Sequence, residues 1–172
     1  KRQIKCTVFG EDVIMYYRNG TSYYSVFLGF DGNPLVNVMV RFNINGVFYD
    51  RITNSSGWAR LAINLRPGNY VITAMNLVTG EMRGNNITVL PILITKDLIK
   101  YYHNDSQFHA LVLDSVGNPL VNVMVRFNIN GVFYNKTTNH EGIATLRINL
   151  LPGHYIITSI SVSYTHLTLP TI

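Results

Sequence analysis

Hydrophobic and polar residues alternate along several short segments of this chain, so that every second side chain is apolar. In the clearest segment the apolar positions are Val36, Val38, Val40, Phe42 and Ile44. A period of two predicts a β-strand with one buried face. Asn45-Gly46 follows at once, a pair that accepts the positive φ angles of a tight type I′ turn. Residues 47–53 are therefore predicted to return as the second strand of a hairpin.

Further alternating segments extend this all-β prediction to residues 13–17, 23–30, 59–65, 70–75 and 87–90. Turn signals such as Pro67-Gly68 separate the segments at intervals of about 8–12 residues, and no helical period occurs, which favours a two-sheet sandwich of about seven strands. Tyr70 and Tyr155 each follow such a turn. Both are predicted to form a tyrosine corner, in which the hydroxyl of a tyrosine binds a nearby backbone group of an immunoglobulin-like (Ig-like) sandwich.

The strand register also predicts which side chains point into the core. These are Val38, Val40, Phe42, Leu61, Ile63, Tyr70 and Ile72, together with Val123, Val125, Phe127, Leu146, Ile148, Tyr155 and Ile157.

The whole pattern occurs twice. The 18-residue block GNPLVNVMVRFNINGVFY fills residues 32–49 and, without a change, residues 117–134, an offset of 85 residues. A period of this length suits small domains that fold alone better than solenoid repeats, so tandem Ig-like β-sandwich domains are predicted. We assign residues 12–91 to unit 1 and residues 92–161 to unit 2. Residues 1–11 are interpreted as the end of a preceding unit and residues 92–96 as a short linker.

Composition excludes several classes of function. Only 13% of the residues are charged, against about 25% in typical domains. The net charge of +5 comes from dispersed side chains rather than a basic run, so nucleic-acid binding is not expected. Cys6 is the single cysteine and can form no disulfide within the chain. Since no apolar stretch approaches the roughly 18 residues of a membrane span, we expect no membrane insertion.

Several motifs resemble a known family. They are Asp-Leu-x-Lys-Tyr-Tyr at 97–102, the repeated block, Thr-Asn-x-x-Gly-x-Ala at 138–144, and Ile-Asn-Leu-x-Pro-Gly-x-Tyr-Ile-Ile-Thr at 148–158. Over residues 1–161 the chain resembles the Ig-like repeats of adhesin-like surface proteins of methanogenic archaea. More distantly, it is similar to the bacterial Ig-like domains of invasin and intimin. The resemblance implies an Ig-like sandwich in a long, secreted, cell-wall-associated protein.

The match between the two units stops after Ser161. Residues 162–172 resemble a translated sequencing adapter, and we interpret them as a non-native tail. On this interpretation unit 2 lacks its own last strand. Residues 164–169 alternate well enough to be predicted at the edge that the missing strand would leave open.

No catalytic, cofactor or metal site is predicted. Four histidines align with unrelated residues of unit 1, so no histidine site is repeated and no zinc-ligand spacing occurs; they are His103, His109, His140 and His154. Glu11-Asp12 and Asp97 lie near the unit junctions but lack the alternating ligands of a calcium loop. No nucleophile has a histidine or carboxylate partner in both units, so the chain is not expected to be an enzyme.

Two structural alternatives concern single residue types. An isopeptide brace would join Lys96 or Lys100 to Asn122 or Asn128, whereas surface lysines and turn asparagines are the favoured interpretation. Tyrosine and phenylalanine at alternate strand positions are expected in the core rather than on a sugar-binding surface. Five Asn-x-Ser/Thr sequences are candidate N-glycosylation sites, most of them in predicted turns; they are Asn19, Asn54, Asn86, Asn104 and Asn135.

The leading functional hypothesis is a non-catalytic stalk or adhesion module of an extracellular surface protein. Its expected partners are neighbouring Ig-like units in cis and host or cell-surface glycans or proteins. The alternatives are a carbohydrate-binding module and a passive spacer beside an enzyme domain. Substitutions between the units gather at residues 23–31, 50–60 and 66–69, so any binding specificity is expected to differ from unit to unit.

Overall fold

The computed structural model describes residues 3–162, and this range contains β-strands and no helix. The chain divides into unit 1, Lys1–Leu90, and unit 2, Pro91–Ile172. The strands of unit 1 are β1 (Val8–Gly10), β2 (Val13–Tyr16), β3 (Ser22–Phe27), β4 (Met39–Ile44), β5 (Val47–Ile52), β6 (Trp58–Ala62), β7 (Gly68–Met75) and β8 (Met82–Leu90). The described strands of unit 2 are β9 (Leu93–Thr95), β10 (Gln107–Val112), β11 (Met124–Ile129), β12 (Val132–Thr137), β13 (Ile143–Arg147) and β14 (Ile157–Ser161).

Unit 1 is a sandwich of a three-stranded sheet, in the order β1-β3-β6, and a five-stranded sheet, in the order β2-β8-β7-β4-β5. The strand pairs are antiparallel except β2 and β8, which run parallel. The order follows the two sheets of Ig-like domains, with β4, β7 and β8 as the central strands C, F and G and with β5 as an added edge strand. The predicted all-β, Ig-like sandwich is confirmed.

The core of unit 1 lies between the two sheets. Tyr23 and Phe27 of β3 meet Phe42 of β4 edge to face, with ring centroids 5.8 and 6.1 Å apart. Eight of the fourteen predicted core residues in the two units are buried and five are half-buried. Tyr155, at 38% exposure, is the exception. The predicted strand register is therefore correct.

Two local predictions are also confirmed. Asn45 and Gly46 have φ angles of 52° and 79°, as a type I′ turn requires, and their counterparts in unit 2 have 53° and 80°. Tyr70 donates a 2.8 Å hydrogen bond from its hydroxyl to the carbonyl of Arg66. Tyr155 does the same to Leu151, also at 2.8 Å, so both units contain a tyrosine corner.

The structure differs from the prediction at the start of unit 1 and in the predicted linker. β1 pairs with β3, and Val8 is fully buried in the core of unit 1, so residues 8–10 belong to this unit rather than to a preceding one. Similarly, β9 pairs with β10 inside the segment that was predicted to be a linker. Glu11 and Asp12, where the sequence predicted the boundary, are the residues at which the first strand crosses from one sheet to the other. The strand before them has only three residues, which is too short to show an alternation.

The repeated pattern predicts the same strands in both units, and this prediction holds only in part. The described residues of unit 2 form the sheets β9-β10-β13 and β12-β11-β14, which contain no counterpart of β2 or β8. In addition, β14 begins at Ile157, the equivalent of Ile72, whereas β7 begins at Gly68. The first residues of β7, 68–71, pair only with β8, so this half-strand depends on the last strand of the unit. The predicted strand at residues 164–169 lies outside the described residues.

Candidate functional site: an aromatic groove in unit 1

A groove opens in unit 1 where the first strand leaves one sheet for the other. β1 follows β3 as far as Gly10, opposite Ser25, and β2 joins β8 from Val13 onward. The crossing residues Glu11 and Asp12 therefore diverge from β3 and leave a space of about 650 Å³. Its lining residues are Phe9, Gly10, Glu11, Asp12, Val13, Ser22, Tyr24 and Trp58. We call this space the aromatic groove.

Three aromatic side chains of the groove are exposed to solvent. Phe9, Tyr24 and Trp58 are 41%, 52% and 43% exposed. They belong to three neighbouring strands, since Phe9 and Trp58 both pair with Val26 of β3, two residues from Tyr24. Because side chains alternate along a strand, these three rings face away from the core, on the outer surface of the three-stranded sheet.

Hydrogen bonds hold one wall of the groove in place. The buried Tyr23 donates from its hydroxyl to Oδ1 of Asn85 at 2.5 Å, and Nδ2 of Asn85 donates to Oδ1 of Asp12 at 3.0 Å. The backbone N–H of Asn86 donates to the same Asp12 oxygen at 2.9 Å. These bonds from Asn85 and Asn86 lower the pKa of Asp12 below its ordinary value. Asp12 thus stays ionised at neutral pH and fastens the crossing segment to β8.

The floor beneath Phe9 is equally well defined. Ser25 is fully buried, and its Oγ donates to the carbonyl of Phe9 at 2.8 Å. Gly10 lies against the hydrogen bond between Tyr23 and Asn85. A Cβ at this position would lie 2.7 Å from Oδ1 of Asn85 and would collide with the hydroxyl of Tyr23. Glycine at position 10 therefore allows the close approach of β1 to β3 at the edge of the groove.

Unit 2 differs at the ring and hydroxyl positions of the groove, although Asp97 takes the place of Asp12. The equivalents of the three exposed rings are Ile94, His109 and Ile143, and Tyr23 and Ser25 are replaced by Phe108 and Ala110. The hydroxyl network that supports the groove cannot form with these side chains. The aromatic groove is thus a property of unit 1 and not of the shared scaffold.

Sequence reasoning assigned the strand aromatics to the core and missed this surface. Tyr23 is indeed in the core, but Tyr24 points to the opposite face. The available signal was the phase of the alternation: Trp58 is out of step with the buried Ala59 and Leu61, just as Tyr24 is out of step with Tyr23. That phase places the rings on the outside of their strands, whereas their assembly into one groove depends on pairing between distant segments.

The five candidate glycosylation sites are spread over both units. Asn19, Asn54 and Asn104 lie in turns, and in each the side-chain Oδ1 accepts the backbone N–H of the residue two positions later, at 2.9–3.0 Å. Asn86 lies in β8 and Asn135 in β12, and both are exposed. Asn86 also lines a second groove of about 750 Å³ on the outer face of the five-stranded sheet. The structure therefore does not bring the five asparagines together.

The residues considered for metal binding or cross-linking make other contacts. Among the described residues no group of three or more His, Cys, Asp or Glu side chains could hold a metal ion. Lys100 takes the place of the buried Met15 of unit 1, and its Nζ donates to the carbonyls of Asn104 and Ile148 at 2.8 Å. These bonds fit a lysine that caps backbone carbonyls. No helix in the described part of the chain is long and apolar enough to cross a membrane.

The sequence matches no protein-family model and no curated protein. Solved structures that it resembles include invasin, a bacterial integrin-binding protein, with 20% identity over 90% of this chain and 35% of invasin and a TM-score of 0.42. A Ca²⁺-stabilized adhesin with which an Antarctic bacterium binds ice has 12% identity over 93% of this chain and 48% of its own, with a TM-score of 0.36. The fibronectin(III)-like modules of Clostridium thermocellum CbhA have 13% identity over 90% of this chain and 84% of their own, also with a TM-score of 0.36. This chain spans half or less of the first two structures. Every one of these TM-scores is below 0.5, so the likeness establishes no function for this chain.

Proposed function

We propose that this segment is a non-catalytic, load-bearing module of an extracellular, cell-wall-associated surface protein. Tandem Ig-like units of this kind would extend an adhesive part of the protein away from the wall. The observation that carries the proposal is the parallel pairing of β2 with β8, the strands through which the chain enters and leaves the five-stranded sheet of unit 1.

Parallel pairing determines how tension acts on unit 1. Val13 lies opposite Ile87 and Tyr16 opposite Leu90, and the backbone N–H of Tyr17 donates to the carbonyl of Leu90 at 2.9 Å. Tension on the preceding chain pulls β2 backward, and tension on the following chain pulls β8 forward, so the two forces act in opposite directions along one ladder. All of its hydrogen bonds then share the load, whereas in an antiparallel hairpin pulled from its open end they would break one at a time.

A second set of contacts fastens the chain before β1. Thr7 donates from its backbone N–H and its Oγ1 to Oε2 of Glu81, at 2.6 and 2.7 Å. These bonds lower the pKa of Glu81, which is therefore ionised at neutral pH. The buried Asn76 donates from Nδ2 to the carbonyl of Thr7 at 3.3 Å and to that of Leu28 at 2.8 Å. Tension therefore meets this clamp, made by Thr7, Asn76 and Glu81, before it reaches the strands.

Other features support the extracellular location and the absence of catalysis. The surface is poor in charge, and four of the five glycosylation sequences have an exposed asparagine. The motifs that resemble archaeal adhesin-like repeats point to the same class of wall-associated protein. The histidines that the two units do not share provide no repeated acid or base, so the units are proposed to act mechanically, with neighbouring Ig-like units as their partners in cis.

Single-molecule force measurements on the whole chain test this function. The backbone N–H of Tyr17 points toward β8, and the N–H groups of every second residue in a strand point the same way, so the N–H of Met15 also faces β8. Met15→Pro therefore removes a hydrogen bond of the ladder, while Met15→Ala removes only the buried side chain. We expect Met15→Pro to lower the unfolding force of unit 1 well below that of Met15→Ala. Equal unfolding forces for the two variants would show that the ladder carries no load. That result would favour the passive spacer, which needs no mechanical resistance.

A further inference from the structure

We propose that the aromatic groove of unit 1 binds a neutral oligosaccharide. This goes beyond the load-bearing function, because it gives unit 1 a recognition site that unit 2 lacks. The class of ligand follows from the combination of exposed ring faces, hydrogen-bonding groups along the rim and a concave shape.

The rings supply the apolar part of recognition. A folded chain gains by burying aromatic surface, yet Phe9, Tyr24 and Trp58 remain about half exposed on adjacent strands. Trp58 is the single tryptophan of the chain. Pyranose rings carry patches of axial C–H groups that pack on aromatic faces, and they leave their hydroxyls at the edges free for hydrogen bonds. Rings spread over neighbouring strands offer successive sugars successive stacking positions.

The rim supplies the polar part. Glu11, Asp12 and Ser22 line the groove together with the rings, and they carry two carboxylates and a hydroxyl. Oδ1 of Asp12 accepts the hydrogen bonds from Asn85 and Asn86, which hold the carboxylate in one orientation. Its Oδ2 is then left to accept a hydrogen bond from a ligand. Carboxylate and hydroxyl oxygens accept hydrogen bonds from sugar hydroxyls. The volume of about 650 Å³ falls within the range of about 300–1,000 Å³ that is usual for sites of small ligands.

Charge and shape exclude the other occupants. An anionic polysaccharide would be repelled by Glu11 and Asp12. A quaternary ammonium ion needs ring faces that converge on one point within about 6 Å, whereas these rings lie along the outer face of a sheet. In addition, Arg60 pairs with Tyr24 on that same face, and its positive charge would repel a cation. A second copy of the chain would need a protruding surface that fits between Phe9 and Trp58. A slender, uncharged chain of sugars meets all of these conditions.

Unit 2 supplies matched substitutions for the test. Trp58→Ile and Tyr24→His introduce the residues that occupy the same strand positions in unit 2, and both side chains are exposed, so the fold is retained. Phe48→Ala is the control, because Phe48 is equally exposed but lies on β5, outside the groove. The probes are neutral hexasaccharides with cellulose, xylan, mannan and chitin linkages. Choline and a polygalacturonate oligomer represent the cationic and anionic alternatives.

Isothermal titration of the full chain measures affinity, and the fluorescence of Trp58 locates the bound sugar. We expect at least one neutral hexasaccharide to bind saturably and to shift the Trp58 emission. Trp58→Ile and Tyr24→His should each weaken this binding by about tenfold or more, while Phe48→Ala leaves it unchanged. The proposal is overturned if no neutral probe binds, if choline or the polygalacturonate binds in its place, or if Trp58→Ile binds as well as the parent. Self-association that Trp58→Ile abolishes would assign the surface to a second copy and also overturn it. None of these outcomes alters the force test, so the two proposals fail independently.

Discussion

Asn76 is the residue whose removal tests the clamp on the N-terminal segment most directly. It is buried, and its side chain takes part in four hydrogen bonds. Nδ2 donates to the carbonyls of Thr7 and Leu28, and Oδ1 accepts the backbone N–H groups of Val78 and Thr79 at 3.1 and 3.2 Å. The side chain therefore joins the β7–β8 turn to two segments that lie 48 and 69 residues earlier in the chain.

The expected loss of stability follows from these bonds. A hydrogen bond contributes a net free energy of about 0.5–1.5 kcal/mol, and a buried group left without a partner costs about 1–3 kcal/mol. Three of the four bonds exceed 3.0 Å, so low values apply to them, and we expect Asn76→Ala to lower the free energy of unfolding of unit 1 by about 2–4 kcal/mol. In a domain of this size that corresponds to a fall in Tm of about 10–25 °C.

Urea unfolding followed by the fluorescence of Trp58 measures unit 1 alone, because unit 2 contains no tryptophan. Asn64→Ala is the control, since Asn64 is exposed and its change should stay within about 0.5 kcal/mol of the parent. Asn76→Asp keeps the acceptor for the turn but replaces the donor with an oxygen that faces two carbonyls, so it should destabilise unit 1 at least as much as alanine. If Asn76→Ala unfolds at the same urea concentration as Asn64→Ala, the clamp contributes no stability.

Three further predictions concern other parts of the sandwich. Tyr70→Phe should lower the free energy of unfolding of unit 1 by about 0.5–1.5 kcal/mol by removing the bond to Arg66, and an unchanged Tm in calorimetry would contradict this. Phe42→Ala should destabilise unit 1, and Phe127→Ala unit 2, by about 3–5 kcal/mol each, and calorimetry should show that the other transition does not move. Acid should weaken unit 1 more than unit 2. Hydrogen bonds lower the pKa of four carboxylates in unit 1 but of only one in the described part of unit 2. The stability that such a group contributes is fully present above its unfolded pKa of about 4, and it is lost as the pH falls through the lower pKa of the folded state. Equal losses in urea titrations between neutral and acid pH would refute it.

The features that could be predicted from the sequence are those that neighbouring residues determine. The Asn45-Gly46 turn requires only that two adjacent residues accept positive φ, and the tyrosine corner joins Arg66 and Tyr70, which are four positions apart. The core of β4 follows from alternation within one strand. In each of these cases, the residues that determine the structure lie within the same short segment as the structure itself.

The features that could not be predicted depend on segments far apart in the chain. The aromatic groove requires β1, β3 and β6 to lie side by side, which places Phe9 and Trp58 on one surface although they are 49 positions apart in the sequence. The start of β7 is likewise decided elsewhere, because residues 68–71 become a strand only beside β8. The similar sequence at 153–156, with no such neighbour among the described residues, is not a strand. Local propensity cannot distinguish these two outcomes.

The identical hairpin has a consequence for how a long array of such units could assemble without error. Repeated sequences risk exchanging strands between copies while they fold. In this chain the unchanged residues build β4, β11 and the hairpins they begin, in which each strand pairs with the next across a two-residue turn and closes within microseconds. The β3–β6 and β10–β13 pairs, whose strands come from distant segments, differ instead: β3 and β6 read SYYSVF and WARLA, whereas β10 and β13 read QFHALV and IATLR. The longest identical stretch thus lies in the hairpins, where a wrong copy arrives too late to compete, although β4 and β11 also pair with the distant strands β7 and β14. Divergence marks the slower β3–β6 and β10–β13 pairings, which helps each unit to recognise its own strands.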